Sequence, residues 1–421
     1  MKTLIATLAY YPYVGGHAVL TRAMAEGLAK RGHDIFVLTS NLIQFSPLVK
    51  TSAGFALVNR IPVLRFDSIW PDLSNSRGSG GAFTALIDNL SRLDEENSSL
   101  QNMFILMRSL SFPFSPQTLL WGLTSRFQAS IIHAIDLVWS TSFTSFLIAK
   151  KKRIPFVITP LLHTHSQRHR GESLSKVMRE ASAVIAVTES EQEFILKKGV
   201  EKRKVHHISL GIDTDALNGG DAMMFRQKYK IPFEDPIILF IGRKEVDKGV
   251  IQLIKAMNYV WKSMPKARLV IVGPNGILPT DVRTYRNIML SIPPEKKEKV
   301  LDLGVVHELD KLGALAASDI LAMPSVRESF GLVYLEAWYY HKPVIGAACK
   351  PVSDIIDHQT NGLLVRFGDE KHLADSLLTL LKNEEIRKEY GDNGYRKLMM
   401  KYTSNIMIDE LEKVYQSIVM D

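Results

Sequence analysis

Short apolar runs alternate with amphipathic stretches from one end of this chain to the other. In the first half, residues 3–9, 34–39, 130–133, 156–159, 183–187 and 205–208 read as strands. In the second, 237–242, 269–272, 300–303, 320–323, 343–346 and 362–365 do so. Their alternation with amphipathic stretches argues for βα units and parallel sheets. Helical spacing fills the gaps, for example over 18–31 and 251–263. Repeated βα units predict an α/β protein with two Rossmann-like, doubly wound sheets, one in each half.

The strand signals stop between about Gly211 and Pro236, where Asn218-Gly219-Gly220-Asp221 punctuates the chain and one helix is predicted over 222–229. The division that follows is an N-terminal domain over 1–212 and a C-terminal domain over 213–403. Near the end, Ile406, Ile408, Leu411, Val414, Tyr415 and Ile418 recur at helix spacing. Residues 70–128 are the least typical part. Gly78-Ser79-Gly80-Gly81 reads as a loop, while 104–107 and 110–114 are apolar on several sides. A core helix is the commoner explanation of such a stripe; a helix facing a membrane or an acceptor is the sharper one.

At 421 residues the chain has room for two buried cores, and 46% hydrophobic with 23% charged residues places it among ordered α/β proteins. Its one cysteine, Cys349, excludes an intrachain disulfide framework and an all-cysteine metal cage, and points to a reducing compartment. The first apolar run ends at Tyr10-Tyr11-Pro12, which suits a buried strand better than a secretory signal. No run approaches the roughly 18 apolar residues that span a bilayer. The net charge of +8 is uneven: residues 1–210 hold 24 Lys+Arg against 15 Asp+Glu, and the remainder 28 against 29. Basic clusters such as Lys150-Lys151-Lys152-Arg153 and Arg168-His169-Arg170 fit an acidic acceptor or an anionic membrane surface. No zinc-finger, RNP-like or basic-zipper pattern accompanies them, so nucleic acid ranks last.

The chemistry concentrates in Pro324-Ser325-Val326-Arg327-Glu328-Ser329-Phe330-Gly331-Leu332-Val333-Tyr334-Leu335-Glu336-Ala337. Glu328 precedes a predicted helix and Glu336 lies within it. Ser329 is the expected N-cap, and Gly331 lets a ligand approach the backbone closely. Carboxylates there accept from hydroxyls while first-turn amides donate, which suits a polyhydroxylated, phosphate-bearing ligand.

With Phe330-Gly331-Leu332, Glu336-Ala337 and Pro343-Val344-Ile345 around it, this E-x7-E element resembles the retaining nucleotide-sugar glycosyltransferases of family 4. The resemblance implies the GT-B fold, two Rossmann-like domains facing across a cleft, with a terminal helix at about 404–421 returning to the first domain. It also implies that Glu328 and the amides of Phe330, Gly331 and Leu332 hold the donor sugar, and that Glu336 holds the ribose. Arg243, in Phe240-Ile241-Gly242-Arg243, and Lys248, in Asp247-Lys248-Gly249, match the pair that binds the donor diphosphate. Read alone, such a pair is more often solvated surface. Its place at a strand's carboxyl end and a helix start favours phosphate. Gly15-Gly16, after the first strand, resembles the family's donor-facing loop, with a plain turn as the bland alternative. His163 occupies the place of a histidine that contacts the donor sugar, His165 being the fallback and His133 a less direct lining residue.

Asp213-Thr214-Asp215 has the look of a divalent-metal motif, but its setting, Ser209-Leu210-Gly211-Ile212-Asp213, resembles the family's interdomain loop, so no metal is expected. Lys350-Pro351-Val352-Ser353-Asp354 stands where the family has Gly-Gly-x-Pro-Glu, with Asp354 as the possible stand-in. The reading is a retaining, metal-independent transferase that needs no cofactor. It moves a sugar from a UDP- or GDP-linked donor to a glycan or lipid-linked acceptor in cell-surface glycan or glycolipid synthesis. Its expected location is the cytoplasm, peripheral on the inner face of the membrane. The alternatives are a non-catalytic GT-B scaffold and a sugar-nucleotide epimerase.

Overall fold

The structure, a computed structural model, describes residues 1–13, 15–44, 48–69, 105–106, 115–163 and 171–420. His165, the 168–170 cluster, the 78–81 loop and most of the apolar stripe at 104–114 lie outside the described residues. Two compact units are present: Met1–Gly211 with Ser404–Asp421, and Ile212–Thr403.

The first unit is built on an eight-stranded sheet. In spatial order its strands are Val205–His207, Ala183–Ala186, Phe156–Thr159, Ile131–Ile135, Lys2–Ala6, Asp34–Ser40, Ile61–Phe66 and Gly54–Val58. Every neighbouring pair is parallel except the last. All five residues of Ile131–Ile135 are buried, which is why the run shows no polar alternation. Helices cover both faces; Phe143 of Ser140–Lys152 is fully buried, a side chain worth about 1.5–3 kcal/mol of transfer free energy.

The antiparallel edge pair Gly54–Val58 and Ile61–Phe66 was not among the expected strands. Its two-residue turn, Asn59-Arg60, has both residues left-handed, at φ 50° and 68°, the geometry of a type I′ hairpin. Arg at the second position, where Gly is usual, hides the signal.

The closing helix Ser404–Met420 packs on Gly16–Lys30. Gly27 permits the close approach, because a Cβ there would lie 2.7 Å from Ile408. Arg31 grips the far side, pairing with Asp409 and with Glu412 at 2.6 Å. No described helix is long and apolar enough to cross a membrane.

His133 is not a lining residue. It sits at 0% exposure inside the unit, with Nδ1 2.5 Å from the Tyr415 hydroxyl and Nε2 2.8 Å from Thr159 Oγ1. The reason lies in register: within Ile131–Ile135 it points into the layer beneath the closing helix. Burial lowers its pKa from 6.5 to about 3. Between those values the unfolded chain binds the proton and the folded one does not, so stability is lost as pH falls below 6.5. The expected slope from this group is about 1.4 kcal/mol per pH unit. Urea unfolding at pH 7.5 and 5.0 should show it, and His133→Gln should remove it; equal pH dependence in both proteins contradicts the assignment.

The second unit holds a six-stranded parallel sheet in the order Val300–Gly304, Arg268–Val272, Ile237–Ile241, Ile320–Met323, Val344–Ala347 and Gly362–Val365. Numbered along the chain this is 3-2-1-4-5-6, the doubly wound arrangement of a Rossmann domain.

Candidate active site

In the second sheet the strand order reverses between Ile237–Ile241 and Ile320–Met323, and ligands of doubly wound folds bind at the carboxyl ends beside such a reversal. The first of these strands runs into Gly242-Arg243. A 3-10 turn, Val246–Lys248, then leads through Gly249, at φ 81°, into the helix Val250–Ser263. The second runs into the loop bearing Glu328.

The two loops are stitched together. Val326 N–H and Ser325 Oγ both donate to the Asp247 carbonyl, at 2.9 and 3.1 Å. The Lys248 ammonium donates to the Arg327 carbonyl at 2.7 Å and to Glu328 Oε1 at 2.6 Å. Both side chains are largely covered, at 14% and 12% exposure. Gly249 makes this possible: a Cβ there would lie 2.4 Å from the Pro324 carbonyl oxygen.

The helix carrying Glu336 spans Leu332–Tyr339, and its N-cap is Gly331 rather than Ser329. Gly331 adopts φ 99°, which only glycine reaches cheaply, and the Tyr334 ring lies 2.6 Å from where its Cβ would be. Tyr334 also donates its hydroxyl to the Met323 carbonyl at 2.6 Å, which fixes the helix start against the strand end. Phe330 is buried and packs edge-on against Tyr402, so it can offer a ligand only its backbone. Tyr334 N–H already donates to the Gly331 carbonyl at 3.0 Å, while Leu332 and Val333 hold the first two helical positions, whose amides have no acceptor within a helix.

Glu336 is held by a residue that the sequence reading missed. Lys311, on Glu308–Ala317, pairs with Glu336 Oε1 at 3.2 Å and Glu308 Oε1 at 2.9 Å. Burial alone would lower the Lys311 pKa, but the two carboxylates outweigh it and raise it. Arg243 does not join Lys248 and Glu328. Its Nε faces Glu245 Oε1 at 3.0 Å, and the side chain is 41% exposed. Asp354 is tied to Lys350, and Asp213 accepts from the Asp215 amide at 3.1 Å, a local turn.

In the first unit, Gly15 is the N-cap of Gly16–Lys30 in extended conformation, and its lack of a side chain accommodates the Tyr13 ring, 2.4 Å from a would-be Cβ. Gly16 faces open space. His163 is half-buried and follows Leu161, a leucine at φ 52°. Two acids lie near this turn, Glu191 buried and Asp136 partly exposed. Asp136 accepts from Trp139 Nε1 at 2.8 Å, and Glu191 accepts from the amides of Leu162 and Val187, each at 2.7 Å. Burial raises both carboxyls to about 7, against the hydrogen bonds that favour their ionised forms.

Residues 15–211 match the model of the glycosyl transferase 4-like domain, and residues 223–397 that of the glycosyl transferases group 1. The chain is 24% identical over 420 residues to N-acetyl-alpha-D-glucosaminyl L-malate synthase of Bacillus anthracis, across 98% of this chain and 96% of that protein. It is 25% identical over 389 residues to D-inositol 3-phosphate glycosyltransferase of Xylanimonas cellulosilytica, across 89% and 85% respectively. The structure of Anabaena HepE in complex with UDP and glucose matches with a TM-score of 0.70 at 19% identity, covering 99% of this chain and 100% of that one. The fold is GT-B. The chain belongs to the group 1 glycosyltransferases, with a glycosyl transferase 4-like domain ahead of the group 1 domain.

Proposed function

We propose that this glycosyltransferase uses a nucleotide-diphospho-sugar, UDP- or GDP-linked, and transfers the sugar with retention and without a metal ion. The observation that carries the reading is the Lys248–Glu328 pair at the switch point of the second sheet. An ammonium has three donors; two serve Arg327 and Glu328, and the third is left for a phosphate oxygen. Glu328 Oε1 is engaged by Lys248, and its second oxygen can accept from a sugar hydroxyl. Glu336, oriented by Lys311, accepts in the same way from the ribose. Arg243 adds a second cation for the diphosphate, able to grip it bidentately. The amides around Gly331 and Leu332 donate to the sugar, and those of Gly15 and Gly16 to phosphate. His163 is assigned to the sugar near its reacting carbon.

In the transfer, the bond from the anomeric carbon to the diphosphate oxygen breaks and a bond to the acceptor oxygen forms on the same face. The acceptor proton passes to the departing phosphate oxygen, so no enzyme nucleophile is needed. Lys248 and Arg243 stabilise charge that grows as the diphosphate leaves, which is where electrostatic catalysis has most leverage. We assign the acceptor to the glycan or lipid-linked class, in cell-surface glycan or glycolipid synthesis at the cytoplasmic face of the membrane. The basic balance of residues 1–210 and the names of the relatives support an anionic acceptor.

The test is a hydrolysis and transfer panel with UDP-glucose, UDP-N-acetylglucosamine, GDP-mannose, ADP-glucose and TDP-glucose, each with and without EDTA. At least one donor should be cleaved at an unchanged rate in chelator. Strict dependence on Mg²⁺ or Mn²⁺ overturns the metal-free mechanism, and no turnover with no nucleotide-induced rise in melting temperature favours a scaffold.

A further inference from the structure

The side chain of Glu191 does something its local sequence does not call for. Thr188-Glu189-Ser190-Glu191 has the spacing of a capping box, and Thr188 Oγ1 does accept from Glu191 N–H at 3.2 Å. In that box the glutamate returns to the N-cap amide. Here it reaches one residue further back, to Val187 N–H, and its other oxygen takes Leu162 N–H from a different loop. Glu191 is 2% exposed, so both hydrogen bonds are made out of water. Leu162 lies between Leu161, held at the left-handed φ of 52°, and His163. A non-glycine residue in that region is strained and persists only when its surroundings hold it. The ends of Phe156–Thr159 and Ala183–Ala186 are thus joined through one carboxylate, one residue short of His163.

We infer that Glu191 is a positioning residue for His163: by clamping the Leu162 amide it fixes the turn that sets where the imidazole stands. This rests on the assignment of His163 to the donor sugar, made above. Glu191 is buried and occupied by two backbone amides, so its effect on catalysis runs through the turn that carries His163.

The experiment is a double-mutant cycle on the full-length protein with Glu191→Gln, His163→Ala and the double variant. It is read as kcat on the panel donor cleaved fastest, alongside the UDP-induced shift in melting temperature. Glutamine keeps the size of the side chain but sets an NH2 against one amide donor. The expected result is a fall in kcat of tenfold or more for Glu191→Gln in the parent. In the His163→Ala background the change is less than twofold, with the UDP shift unchanged in both. Equal losses in the two backgrounds would mean a general structural role and overturn the proposal, as would unchanged kcat in the parent background. Full activity of His163→Ala sinks the assignment of His163 itself, and this inference with it; that outcome is visible in the single variant. If Glu191→Gln does not fold, Glu191→Asp, whose carboxylate is one methylene too short to reach both amides, supports the same comparison.

Discussion

Glu328→Gln is expected to lower sugar transfer by on the order of 10²–10³-fold while nucleotide binding survives. Lys248 holds Glu328 Oε1 at 2.6 Å, so in the proposed role the carboxylate would meet the sugar hydroxyl already oriented. Glutamine must turn its oxygen to the ammonium, which then presents NH2 where an acceptor is needed, or turn its NH2 to the ammonium and lose the pair. The first leaves the hydroxyl without an acceptor, and the second gives up the contact that orients the side chain. The ribose contact assigned to Glu336, which Lys311 orients, lies on the helix Leu332–Tyr339 rather than in the Glu328 loop, and stays intact. Steady-state kinetics and UDP-induced thermal shifts, measured on the same preparation, check this. Parent-like kcat excludes Glu328 from the chemistry, whereas a lost shift together with lost activity reports a damaged unit.

Gly249→Ala should be nearly as costly, for a mechanical reason. The left-handed φ of 81° costs an alanine about 1–2 kcal/mol. Its Cβ would also lie 2.4 Å from the Pro324 carbonyl oxygen, an overpacking that costs about 1–3 kcal/mol more. The neighbour is backbone and cannot swing aside, so the two loops must part and Lys248 must leave Glu328. Lower urea resistance and a large drop in kcat are expected together. An alanine variant as stable and active as the parent would show that the loops tolerate separation.

The apolar runs carried most of the fold, because a strand buried on both faces leaves no room for polar residues. Phe156–Thr159, Ile320–Met323 and Gly362–Val365 match their expected bounds, and most others differ by one or two residues. The edge hairpin at Asn59-Arg60 escaped because its turn lacks glycine. The helix after Glu328 starts at Leu332 because a left-handed glycine and the Tyr334 ring decide where it begins, which a serine's capping propensity does not reveal. That Lys248 touches Glu328, 80 residues away, could be expected only from a whole motif set. Lys311 belongs to no motif, and its part shows only where the carboxylates of Glu308 and Glu336 stand around it. His133 shows the converse, a histidine expected at a strand end that lies mid-strand and serves the core.

The first unit is finished by residues made only after the whole of the second unit. Tyr415 completes the surroundings of His133, and Glu412 those of Arg31, so the opening 211 residues emerge without their final cover. At elongation rates of about 5–20 residues per second, the intervening unit keeps them waiting roughly 10–40 s. A premature stop shortly before Ser404 therefore does more than trim a tail. It leaves the nascent protein with a bare oily groove over Leu20 and Met24 and a stranded imidazole, a substrate for proteolysis rather than a slightly shorter enzyme.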